Sequence, residues 1–107
     1  MTSPTKSQAI KTLREDAWIG DAVLELLIRQ WVLNQGRGVD AERKKQLTCN
    51  QFLSALGPPT EVEARIGILY QQQGLEAAKA FIEQELLPRH EQQERRRQVQ
   101  QHKGRRS

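Results

Sequence analysis

This chain has few of the residues that staple, ligate or anchor a protein. It has one cysteine, Cys49, which excludes an intramolecular disulfide and suits a reducing compartment. Its two histidines, His90 and His102, stand without metal-ligand companions at useful spacing, so no zinc site is expected. No apolar run approaches the roughly 20 residues that a bilayer span needs. The opening MTSPTKSQ also lacks the apolar stretch of a secretion signal. A soluble, cytoplasmic protein without membrane contact is the expectation. No Ser-His-Asp arrangement and no phosphate-loop spelling is present. Strand-like alternation and internal repeats are missing as well. The aromatic residues are Trp18, Trp31, Phe52, Tyr70 and Phe81. All lie in apolar helical patterns, which assigns them to a core or a subunit interface rather than to base stacking.

What is present fits a single small domain. The chain has 107 residues, of which 36% are hydrophobic, so the core is thin. Small helical domains of this kind often complete their core with a second copy. The net charge of +4 is unevenly placed: Arg89 to Ser107 holds seven Lys/Arg and two Glu, while the first 88 residues hold ten basic and eleven acidic groups. Basic character therefore belongs to the tail, through Arg89, Arg95, Arg96, Arg97, Lys103, Arg105 and Arg106. Such a tail suits a polyanion, because neutralising phosphates releases counterions. A merely solvated end is the competing reading. The expected organisation is a helical domain over 1–88 and a flexible basic tail over 89–107, disordered or helical when bound.

Helical periodicity runs through the body. Ser3-Pro4 is placed to start a first helical segment. From about Thr12 to Asn34, Leu13, Ala17, Gly20, Leu24, Leu27 and Trp31 recur at steps of three and four. Ile19, Val23 and Leu26 form a second line beside them, which predicts a central helix touching more than one neighbour. Gly36 and Gly38 end it. Asp40 reads as the N-cap of a helix over AERKKQLTCNQFLSAL, closed by Gly57-Pro58-Pro59. Thr60-Glu61-Val62-Glu63 spells a capping box that opens a helix to about Gln72. Gly74 breaks that helix, and LEAAKAFIEQELL makes the last one, before Pro88.

Two segments carry a resemblance to a known family. Trp18-Ile19-Gly20-Asp21-Ala22-Val23-Leu24-Glu25-Leu26 resembles the signature helix of the ribonuclease III family. Glu63-Ala64-Arg65-Ile66-Gly67-Ile68-Leu69-Tyr70, followed by Gly74-Leu75-Glu76-Ala77-Ala78, resembles that family's second acidic helix and the one after it. The resemblance covers roughly residues 12 to 87. It implies an all-α, ribonuclease III-like endonuclease domain, a homodimer, and Mg²⁺-dependent hydrolysis of double-stranded RNA. The family's Asp and Glu fall on Asp21 and Glu63, while its other two acids fall on Ala17 and Thr60. The compact Mini-III branch, implicated in ribosomal RNA maturation, is similar in both departures. The stretch between the acidic motifs is shorter here than in the family, with 42 residues from Asp21 to Glu63.

The chemistry explains why acids would stand at these positions. Phosphodiester hydrolysis uses a divalent ion to activate water and stabilise charge on oxygen. Mg²⁺ keeps several waters and needs few carboxylates beside the phosphate. The resemblance therefore makes Asp21 and Glu63 the catalytic and metal-binding pair. Arg43, Lys44 and Lys45, with the basic tail, would hold double-stranded or structured RNA, ribosomal RNA above all, by its phosphates. Each acid also has a plainer reading. Asp21 could be a polar residue on the exposed edge of the helix, or pair with Arg14 or Arg29, and Glu63 could cap the Thr60 backbone. Glu25 is a candidate supporting acid or an exposed one, and Glu61 lies about 100° around the helix from Thr60. Gly20 and Ala22 permit a close helix or subunit approach. A ribonuclease III-like protein that binds RNA or a ribosome without cutting, and a protein that uses these helices only to dimerise, remain the alternatives.

Overall fold

A capping box at Thr5 opens the first helix. Thr5 Oγ1 accepts from the Gln8 backbone N–H at 3.2 Å, and the Thr5 N–H donates to Gln8 Oε1 at 3.0 Å. The computed structural model describes residues 5–104, so Ser3 and Pro4 lie outside the described residues. From this cap a single helix, α1, runs Lys6–Asn34. Its 29 residues span about 43 Å at the α-helical rise.

Ala17, Gly20, Val23, Leu24, Leu27, Ile28 and Val32 are the buried face of α1. This stripe is as wide as the sequence implied, but it is rotated at its C-terminal end. Ile28 and Val32 go inward, while Leu26 stays 46% exposed. The rotation follows from the neighbours: α4 (Pro59–Gln73) covers the middle of α1, and α2 (Ala41–Thr48) covers its last turns.

Asp40 caps α2 as expected, its Oδ1 accepting from the Arg43 N–H at 3.0 Å. The expected continuous helix to Leu56 is instead broken at Cys49, which is extended at φ −76°, ψ 155°, and a short α3 follows at Asn50–Leu53. In an unbroken helix Phe52 and Leu53 would sit about 140° and 240° around from Leu47. The break lets all three bury together.

The α4 helix begins at Pro59, with Pro58 as its N-cap and no side-chain capping bond. Thr60 is therefore inside the first turn and cannot act as the cap. Pro59 fits the first helical position because its missing N–H has no partner to lose there.

Gly74, at φ 91°, separates α4 from α5 (Leu75–Phe81). The chain then stays helical through Pro88. A π-helical turn at Ile82–Leu86 leads directly into α6 (Leu87–Gly104). The Leu87 N–H bonds the Ile82 carbonyl, five residues back. A proline removes one donor and pushes on the carbonyl four residues before it, and the wider turn absorbs both. The expected helix end at Pro88 is thereby overturned, and the described part of the basic segment is helical. Ala78, Ile82, Leu86 and His90 are all buried along one line that crosses this joint.

The described residues form an all-helical protein with one core, built from α1 to α5, the π turn and their partly buried neighbours. None of its helices is long and apolar enough to cross a membrane. The radius of gyration, 16.6 Å, exceeds the roughly 13 Å of a compact domain of this size. The exposed ends of α1 and α6 account for the elongation: residues 6–12 and 95–100 are exposed throughout.

A candidate carboxylate site at a glycine crossing

The two acids singled out by the sequence are brought together, and the agents are two glycines. Gly20 on α1 and Gly67 on α4 sit where the helices cross. A Cβ on Gly20 would overlap the Glu63 carbonyl oxygen and lie 2.9 Å from the Gly67 nitrogen. A Cβ on Gly67 would overlap the Asp16 carbonyl oxygen and lie 2.9 Å from the Gly20 nitrogen. Two backbones thus touch with no side chain between them. Asp21 follows Gly20, and Glu63 is the residue whose carbonyl Gly20 meets, so both acids stand at the lip of the crossing. Gly20 serves contact within the chain, whereas Ala22 is exposed. Gln71 closes one side, its Nε2 donating to Asp16 Oδ1 at 3.1 Å and to the Gly67 carbonyl at 3.0 Å.

Asp21 is exposed and Glu63 half-buried. Burial pushes the Glu63 carboxyl up to about 7, helped by a hydrogen bond with the Asp21 carboxyl and by its negative charge. Neither acid takes part in an ion pair among the described residues. The proposed pairing of Asp21 with Arg29 does not form, because Arg29 Nη2 goes to Glu25 Oε1 at 3.0 Å. The Thr60 cap for Glu63 is likewise excluded by the start of α4 at Pro58 and Pro59.

Two neighbouring carboxylates without a cation form a site of unbalanced negative charge. Its donor set, all oxygen, is the type that Mg²⁺ accepts when waters and phosphate complete the shell. Among the described residues no cluster of three or more His, Cys, Asp or Glu is arranged to hold a metal. Asp21 and Glu63 therefore meet only the minimal protein contribution. Glu25, one turn after Asp21, is committed elsewhere: hydrogen bonds from Lys44 at 2.8 Å and Arg29 at 3.0 Å hold its carboxyl below the usual range. Glu61 lines a separate 290 Å³ depression with Arg65 and Glu85.

The basic residues divide among several settings. Arg43 places its guanidinium over the Trp31 ring at 5.8 Å. Lys44 links α2 to α1 through Glu25, so it is not a free phosphate contact. Lys45, Arg89 and Arg96 are exposed and form no ion pair among the described residues. Arg95 and Arg97 form loose pairs with Glu91 and Glu94, at 3.9 and 3.8 Å. The Lys103 side chain, Arg105 and Arg106 lie outside the described residues.

One buried group had no assigned role in the sequence. His90 is 2% exposed, edge-on to Trp31 and Phe52, with Nε2 3.3 Å from Gln46 Oε1 and 3.5 Å from Glu94 Oε1. Burial holds its pKa below the ordinary value. The four-residue step from Ala78 through Ile82 and Leu86 to His90 was the available signal, masked by Pro88. Of the five aromatics, Phe52 is buried and Trp31 and Phe81 pack against the core. Trp18, at 78% exposed, and Tyr70 do not.

No protein-family model, curated protein or solved structure matches this chain.

Proposed function

We propose that the chain is a Mini-III-like endoribonuclease, cutting double-stranded or structured RNA, ribosomal RNA above all, by Mg²⁺-assisted hydrolysis. The observation that carries this reading is the Asp21–Glu63 pair at the Gly20–Gly67 crossing. The two side chains belong to the two motifs that resemble the ribonuclease III family, and they stand 42 residues apart in sequence on different helices. When bound, the metal would supply charge stabilisation and a reactive water. Asp21 and Glu63 would hold it, with Glu63 giving up its proton on binding. Lys45, Arg89, Arg95, Arg96 and Arg97 would hold phosphates without reading bases.

A homodimer belongs to the same proposal. Trp18, Ala22 and Leu26 follow at four-residue steps on the open side of α1. Glu15 and Arg29 lie seven residues to either side of Ala22. Antiparallel pairing of two α1 helices about Ala22 sets Trp18 against the partner's Leu26 and Glu15 against the partner's Arg29.

The test is cleavage of a structured ribosomal precursor RNA with Mg²⁺, comparing the native protein, Asp21→Asn and an EDTA control. Asp21→Asn should lose cleavage while keeping its fold and RNA affinity; undiminished activity removes the site. One observation favours a second reading, RNA binding without cutting. The acid pair has no third ligand among the described residues, and RNA affinity that falls steeply with salt but never leads to cuts would establish it.

A further inference from the structure

We propose that the groove between α2 and α6 binds an unpaired nucleotide of RNA and reads its base through side-chain amides. This rests on the RNA-handling reading above and names a part of the RNA that the carboxylate pair does not recognise. Glu42, Lys45 and Gln46 fall at i, i+3 and i+4 on α2 and, with Cys49 at the break that follows it, line one wall. Lys44, which ties α2 to Glu25 of α1, is not among the lining residues. Gln93 and Arg97, four apart on α6, form the other wall, and Gln51 with Phe52 of α3 completes the lining. The groove measures 430 Å³, within the roughly 300–1,000 Å³ range of small-ligand sites.

Its chemistry points to a base rather than to a bare phosphate. Lys45 and Arg97 are offset by Glu42, so the site is only weakly cationic. Between them stand the three amides of Gln46, Gln51 and Gln93, each with a carbonyl acceptor and an N–H₂ donor. Glutamine can meet the adenine edge with two hydrogen bonds, and a carboxylate can accept from an exocyclic amino group. Lys45 and Arg97 are then placed for the flanking phosphates.

The groove also has a built support behind it. His90, buried at 2% exposure, contacts Gln46 Oε1 at 3.3 Å and so fixes that amide from the core side. Its companions around the ring are Glu94, Arg43, Arg97 and Glu91. Preorganised donors and acceptors lose less on binding than mobile ones. Inside an RNA helix the adenine N6/N7 edge that glutamine meets lies in a deep, narrow major groove closed to side chains, whereas a splayed base offers it. The groove therefore selects unpaired residues next to a helix, not the helix itself.

The test uses the full chain, a labelled duplex RNA with blunt ends, and the same duplex carrying a short unpaired adenine overhang. Fluorescence anisotropy at fixed salt gives both affinities. The overhang should bind about tenfold more tightly, the discrimination of one good bidentate contact. It should also shift the side-chain amide NMR signals of Gln46, Gln51 and Gln93. Gln51→Ala and Gln93→Ala, at an exposed and a half-buried position that preserve the core, should each remove most of that advantage and leave blunt-duplex affinity unchanged. Equal affinity for the two RNAs, or a preference that survives both substitutions, overturns the groove proposal and leaves the RNA reading standing. Absence of binding to either RNA overturns both.

Discussion

Glu63 holds its proton chiefly because it is buried, with the Asp21 carboxyl adding to the effect. Its ordinary carboxyl value is 4.5, and burial beside Asp21 raises it to about 7 in the folded chain. The folded state therefore binds the proton more tightly than the unfolded state does. The stabilisation this gives is complete below about 4.5 and is lost as pH rises through about 7. Glu63→Gln should accordingly raise Tm at pH near 8 and leave it little changed at pH near 4. The gain is about 1 kcal/mol, well below the face value of the shift because the group is half exposed to screening solvent. A pH series of thermal melts checks this, and equal Tm differences at both ends would refute it. Gly20→Ala should act in the opposite sense, because the added methyl meets backbone rather than a movable side chain. A loss of about 3 kcal/mol is expected, seen as a Tm drop of more than about 10 °C.

The elements show where local sequence decided structure and where it did not. The α1 stripe and the Asp40 cap were legible because periodicity and capping act within a few residues. The start of α4 was misread: Thr60-x-x-Glu63 has the spelling of a box, yet the two prolines before it had already begun the helix. Pro88 misled in the opposite direction. Proline usually stops a helix, but the π turn at Ile82–Leu86 gave the ring room, and the burial of His90 rewards continuation. That reward comes from Trp31 and Phe52, more than thirty residues away in sequence, and no short window contains it. His90→Ala should therefore loosen α6. The cost is about 2 kcal/mol at pH near 8, with faster amide exchange along Gln93–Gln100. Because burial lowers the His90 pKa, its contribution is present above the ordinary value of 6.5 and is lost as pH falls through the lower folded value. The native protein's advantage over the mutant should thus shrink as pH falls below 6.5, as denaturant titrations on either side of that value would show. A gap of the same size at both pH values would disprove it.

At the scale of the molecule, the candidate site was half visible. The sequence named Asp21 and Glu63, but only the Gly20–Gly67 contact explains how residues 42 apart meet. Gly20 and Gly67 each lie in patterns that any helix could carry, and their pairing is a property of the assembled fold. The exposed face of α1 belongs to this scale as well. A Trp18 that is 78% open to solvent leaves a large apolar surface uncovered on a small protein. Trp18→Glu should yield a monomer in sedimentation equilibrium with unchanged helicity, while the native chain should sediment as a dimer. Identical masses for the two proteins would exclude α1 as the contact.

The glycine crossing has a consequence for how the site ages and adapts. Where helices meet through side chains, their spacing drifts as residues are exchanged over generations, because every substitution inserts a shim of a different thickness. Between Gly20 and Gly67 there is nothing to exchange. The gap between the two acids is gauged by peptide planes, whose dimensions are the same in every protein. Exchange of apolar side chains elsewhere in the core thus has no shim to change at the point where the two acid-bearing backbones meet.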